Sequence, residues 1–338
     1  MSHATVCHDE HLGRDVLVKE LQSGIDQRRL SDEVAALSSI RSKHVVQIYD
    51  VIRNGSGVIV GLVEEFIPGD DLAKSIPVTN LSEFLKIAYA IACGLSDIHS
   101  AGVVHRDIKP NNLKFDAEDC LKIFDFGLAR ESELNAATEG GIGTPGYMAP
   151  ELCVEENVRV GFDFSVDVYA FGATMLKVAR SSLPAPLRQF PPSLPCAEAD
   201  FGALPLSLPS EISQLLNLCL AEAPQRRPAM AAIRDGLAAQ LLKDRHRATF
   251  VALGEVHILH AGRKSVTITM GNNGVARLSY DGLRFNISPV SGDVFVNNVE
   301  CLETQAIPKS CVVTFGPRAL GGRRSHVPID ISHPEVVL

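Results

Sequence analysis

What this 338-residue chain lacks narrows its identity first. No stretch reaches the run of about eighteen apolar residues that a membrane helix needs, and Gly57 to Val63 stops well short. The N-terminus shows no basic region leading into an apolar stretch and a small-residue cleavage site. The expectation is a cytoplasmic protein with no membrane partner. The cysteines at 7, 93, 120, 153, 196, 219, 301 and 311 include no Cys-x-x-Cys pair. That usage excludes a zinc ribbon or a disulfide framework and fits free thiols in a reducing compartment. His8/His11 and His257/His260 have no cysteine or acidic cluster at ligand spacing, so they read as surface histidines rather than metal ligands. Basic residues are not in excess: 32 Lys and Arg against 40 Asp and Glu leave a net charge of −8. A phosphate backbone demands the opposite sign, which excludes a general nucleic-acid binder.

What is present is ample core material, 46% apolar against 21% charged, in a chain longer than one typical domain. Two domains are expected. Val16–Val18 and Val58–Val63 read as strands, and Ser31 reads as the cap of a helix carrying Val34, Leu37 and Ile40 on one face. Leu81 to Ser100 is a stronger amphipathic helix, Ser165 to Ala179 a buried one, and Glu211–Leu220 and Met230–Leu242 are helical again. The proline-dense stretch 184–209 is irregular. After Arg247 the pattern changes to short alternating runs, Val256–Leu259, Val266–Met270, Val275–Ser279, Leu283–Ile287, Val294–Val296 and Cys311–Phe315. Gly271–Gly274, Asp281-Gly282 and Ser291–Asp293 supply the turns between them. The expected fold class is α+β: a mixed domain over 1–247, divided near residue 66, then a small all-β, sandwich-like domain over 250–338.

The chemistry concentrates in His105-Arg106-Asp107-Ile108-Lys109-Pro110-Asn111-Asn112, followed thirteen residues later by Asp125-Phe126-Gly127. Two carboxylates, an amide and an ammonium at fixed offsets are what magnesium-assisted phosphoryl transfer needs. Asp125 and Asn112 offer oxygen ligands to a hard cation, which leaves Asp107 free to take a proton. Lys109 can neutralise charge on the transferred group. This block, with Gly143-Thr144-Pro145-Gly146-Tyr147-Met148-Ala149-Pro150-Glu151 after it, resembles the eukaryotic-type protein kinase family.

The resemblance implies a bilobal kinase fold, with ATP and Mg²⁺ as cofactors and Ser/Thr hydroxyls of proteins as acceptors. Lys19 would grip the nucleotide, braced by Glu33 on the following helix. Leu17 stands where the family most often has Ala under the adenine, which narrows the pocket. The Glu65 carbonyl and Ile67 amide would meet adenine, and Asp71 the ribose. Glu64 falls at the position guarding the back of the pocket, where a charge is less usual. His105 would be a packing residue, with Phe126 and Leu37. Arg106, beside Asp107, would need an anion that a phosphorylated activation segment supplies, with Thr138 and then Ser132 as candidates. Thr144 would bond near Asp107 and Lys109, Glu151 would pair with Arg227, and Asp167 would anchor the catalytic loop.

The glycines that let backbone approach the phosphates should precede Lys19, but that alignment meets Ser2 and Ala4, or Ala4 and Val6. The first strand and most of that loop would then lie before Met1. A missing N-terminal stretch is the preferred reading, beside a misassigned start or a nucleotide held without the usual lid. The segment from Ala276 through Asn298 loosely resembles part of a forkhead-associated domain. The Ser and His that read phosphothreonine there are absent, and Gly262-Arg263 alone is a weak sign, so docking or self-association is the expected role. The rival to a kinase is a nucleotide-binding scaffold that recruits partners through this β module.

Overall fold

A computed structural model describes residues 4–21, 27–126, 145–153, 163–307 and 310–332, with the Arg29 side chain left aside. The chain divides into two compact units, Met1–Leu237 and Ala238–Leu338. The division falls in the last helix of the first unit, ten residues before the boundary expected from the change in pattern.

The first unit opens with strands β1 (Ala4–Asp9), β2 (Arg14–Glu20), β3 (Ile48–Arg53) and β4 (Ile59–Glu65), an antiparallel sheet in the order β1-β2-β4-β3. In this register Leu17 lies opposite Glu64 and Lys19 opposite Leu62. Helix α1 (Gln27–Ser39) follows β2. It begins four residues before the expected Ser31 cap. The reason is tertiary: the Gln27 side chain accepts from Ile59 N–H at 2.8 Å and donates to Ile59 O at 3.3 Å, tying an extra turn to β4. Leu30, buried with Val34 and Leu37, carries the apolar face back into that turn.

Helix α2 (Leu81–Ser100) has the expected bounds, and Asn80 caps it by accepting from Glu83 N–H at 3.0 Å. The hairpin β5 (Leu113–Phe115) and β6 (Leu121–Ile123) packs against α2 at Gly94. A Cβ there would stand 2.7 Å from Ile123 Cδ1 and 2.9 Å from His44 O, so glycine is required by space. Helix α3 (Phe164–Ala179) is buried on nearly every side, and α4 (Ser210–Cys219) and α5 (Met230–Leu241) complete the helical part. Among the described residues, no helix is long and apolar enough to cross a membrane.

The second unit is built of strands. They are β7 (Ala248–Ala252), β8 (Glu255–Leu259), β9 (Ser265–Thr269), β10 (Val275–Tyr280), β11 (Phe285–Ser291), β12 (Val294–Val296), β13 (Val299–Glu300), β14 (Gln305–Ala306), β15 (Cys311–Phe315) and β16 (Ser325–Ile331). Their sheet orders are β14-β11-β10-β9 and β13-β12-β15-β16-β7-β8. One buried cluster draws on both, with Phe250, Leu259, Leu278, Ile287, Val313 and Phe315 among its members. β7, β13, β14 and β16 are additions to the expected strands. β16 carries Pro328, which cannot donate to a ladder and masks a strand in sequence. The turns are glycine-dependent: Gly274 and Gly292 approach so closely that a Cβ on Gly292 would meet Gly274 Cα at 2.8 Å.

Phe315→Ala removes a fully buried ring and should cost about 3–5 kcal/mol in the second unit. Hydrogen exchange should show protection lost across residues 248–331 and retained in α2 and α3.

Candidate active site

The site is built on one buried carboxylate. Asp167, in the first turn of α3 and with no exposed surface, accepts His105 N–H at 2.7 Å and Arg106 N–H at 2.8 Å. It also accepts His99 Nε2–H, from the end of α2, at 3.0 Å. Arg106 is thereby held at φ 71°, a left-handed conformation rare for residues other than glycine. Thr174, farther along α3, donates to Ile108 O at 3.3 Å. These bonds fix both sides of Asp107.

Asp107 is buried, and Asn112 Nδ2 reaches both its Oδ2 at 2.9 Å and its backbone oxygen at 2.7 Å. Lys109 Nζ lies 2.9 Å from the same Oδ2. With its amide nitrogen committed, Asn112 has Oδ1 left for a cation. Asn112 O accepts Phe124 N–H at 3.1 Å, and β5 pairs with β6, so Asn112 and Asp125 stand at the same end of one hairpin. Two hard oxygen donors there suit magnesium with phosphate oxygens as further ligands. Among the described residues, no group of three His, Cys, Asp or Glu side chains forms a self-sufficient metal cage.

His105 is fully buried and packs against Phe126 at 4.7 Å between centroids, the rings tilted by 44°. Its Nε2–H donates to Phe124 O at 3.2 Å while Nδ1 accepts Asp107 N–H at 3.3 Å, which requires the neutral ring. Burial correspondingly holds its pKa below the ordinary 6.5, although Asp167 and Asp107 pull the other way.

The structure pairs the remaining charges differently from expectation. Lys19 and Asp125 form a direct ion pair, and Arg106 Nη1 meets Glu33 Oε1 at 3.4 Å. Glu33 therefore does not brace Lys19. Both cations are largely buried, and each takes the carboxylate its own element reaches. Burial raises the Asp125 pKa, but Lys19, joined by His105 and Lys109, draws it down and the net shift is downward.

Glu65 binds Lys122 Nζ at 2.6 Å, and Ile67 O accepts Lys114 Nζ at 3.4 Å. Asp71 Oδ2 accepts Asn111 Nδ2 at 3.2 Å. Glu151 and Arg227 form a two-pronged pair at 2.5 and 2.8 Å, and Arg227 also donates to the Ala221, Glu222 and Ser165 carbonyls. Thr138, Ser132 and Thr144 lie outside the described residues. Sequence reading missed His99 and Thr174. The only signal for His99 was its place in the last turn of α2, six residues before His105.

The protein kinase domain family model matches residues 2–240. The chain belongs to that family. It is 29% identical over 234 residues to a protein of Clostridium acetobutylicum named as a probable serine/threonine-protein kinase, covering 65% of this chain and 35% of that one. A probable LIM domain-containing serine/threonine-protein kinase of Dictyostelium discoideum is 31% identical over 237 residues, 67% of this chain and 24% of that protein. The chain thus spans well under half the length of these relatives.

A neutral buried His105 gives a signed pH dependence. Its folded pKa is depressed, so the stability it contributes is whole above pH 6.5 and is lost as pH falls from there toward the folded value. The loss approaches about 1.4 kcal/mol per pH unit. Urea unfolding at pH 7.5 and 5.5 should show a smaller acid penalty for His105→Leu than for the native chain.

Proposed function

We propose that this protein transfers the γ-phosphate of ATP to Ser/Thr hydroxyls of proteins, its own activation segment included. The observation that carries this reading is the Asp107–Lys109–Asn112 cluster on a loop held by Asp167.

The acceptor hydroxyl oxygen forms a bond to the γ-phosphorus while the bond from that phosphorus to the β–γ bridging oxygen breaks, and ADP leaves. Asp107 takes the hydroxyl proton and orients the oxygen in line. Lys109, already beside the Asp107 carboxylate, offers its ammonium to the charge that develops on the equatorial oxygens. Asn112 Oδ1 and Asp125 would hold magnesium, which when bound screens the β- and γ-phosphates. Lys19 exchanges Asp125 for a nucleotide phosphate. The Glu65 carbonyl and Ile67 amide receive adenine, and Asp71 the ribose. Arg106 awaits an activation-segment phosphate at Thr138 or Ser132, and Thr144 lines the acceptor side. Glu151, Asp167 and Arg227 are structural. The second unit, read as a β-sandwich, serves docking or self-association rather than phosphopeptide reading.

Radiolabel transfer from ATP to the protein or to a basic acceptor protein should fall by about 10²–10⁴-fold in Asp107→Asn. Transfer unaffected by that change would remove the assignment.

A further inference from the structure

Glu64 has no part in the chemistry above, and its surroundings leave it without a donor. Only 4% of it is exposed, yet it has no hydrogen-bond or ion-pair partner among the described residues. Its oxygens are not sealed off, for neither is among the fully enclosed side-chain atoms left unpartnered. Two observations fix where the side chain points. Leu17 is its partner in the β2–β4 register, and residues directly opposite each other share a face of the sheet. Glu65, the next residue, sends its carboxylate to Lys122 at 2.6 Å, and successive side chains on a strand take opposite faces. Lys19, two residues from Leu17, lies on the Glu64 face and reaches Asp125. Glu64 therefore opens on the cleft that Leu17, Lys19 and Asp125 border.

A buried acceptor without a donor carries a cost that a ligand N–H removes. Burial pushes the Glu64 carboxyl above the ordinary carboxylate pKa, and either protonation state keeps an oxygen that accepts an N–H. In the nucleotide reading, the Glu65 carbonyl and Ile67 amide take one edge of adenine. The 6-amino group has two N–H bonds in the plane of the ring, and the Glu65 carbonyl uses one. The other points past that edge, toward the residue before Glu65 on the cleft side, which is Glu64. Leu17, the residue expected against the ring, faces Glu64 across the ladder, so base and carboxylate share one face. A purine without the amino group offers Glu64 no donor. Leaving a buried polar group unpaired is what makes a site reject such an analogue.

We infer that Glu64 is a specificity residue for the base, accepting the second N–H of the 6-amino group. This deepens the nucleotide reading of the cleft and rests on it.

The test uses nucleosides, which carry no phosphate and so leave Lys19 and any metal out of the measurement. Adenosine and purine riboside, its analogue without the amino group, are titrated against the full chain by ligand-observed NMR. Glu64→Leu should weaken adenosine about tenfold, the worth of a hydrogen bond to a carboxylate, and leave purine riboside unchanged. Glu64→Gln keeps an acceptor oxygen and should hold adenosine within about threefold of the native chain. A loss of adenosine affinity below about threefold in Glu64→Leu overturns the proposal, as does an equal loss for purine riboside. Should the Leu variant not fold, Glu64→Met is read the same way. The two readings fail separately. A chain that shows this preference but transfers no phosphate keeps the Glu64 assignment and loses the kinase reading. One that transfers phosphate, and whose adenosine binding ignores Glu64→Leu, loses the assignment alone.

Discussion

The loop that carries Asp107 depends on one buried carboxylate from α3. Asp167 is fully buried and spends its charge on two successive backbone N–H groups and the His99 ring. A left-handed Arg106 costs on the order of 1–3 kcal/mol. Hydrogen bonds to a charged acceptor return about 1.5–3 kcal/mol each, enough to hold that turn. The turn in the backbone is what aims Asp107 at Asn112 and Lys109 instead of into the core. The helix carrying Asp167 can impose this because it is itself immobilised on nearly every face. Core packing of α3 is thus converted into the orientation of one carboxylate.

Around that loop, ion pairs join side chains from separate elements. Lys19 neutralises Asp125, Glu33 neutralises Arg106, and Lys122 neutralises Glu65. Under the proposed function, nucleotide phosphate would replace Asp125 at Lys19 while a cation would replace Lys19 at Asp125, and a phosphate on the activation segment would do the same at Arg106. Ligand binding would then exchange ion pairs rather than create charge, which lowers the desolvation cost of each step.

Legibility in the sequence followed the range of the interactions involved. The Asp107, Asn112 and Asp125 set was readable because its members lie on one loop and one hairpin, where spacing alone fixes their geometry. α2 was readable to the residue because an asparagine cap and an uninterrupted apolar period mark it locally. The start of α1 was not, since a side-chain bond from Gln27 across to β4 decides it. Nor was the partner of Glu33: four charged groups from four elements compete, and sequence distance is silent on which approach. In the second unit, turns with Gly274, Gly282 and Gly292 announced the interior strands, whereas β16 hid behind Pro328.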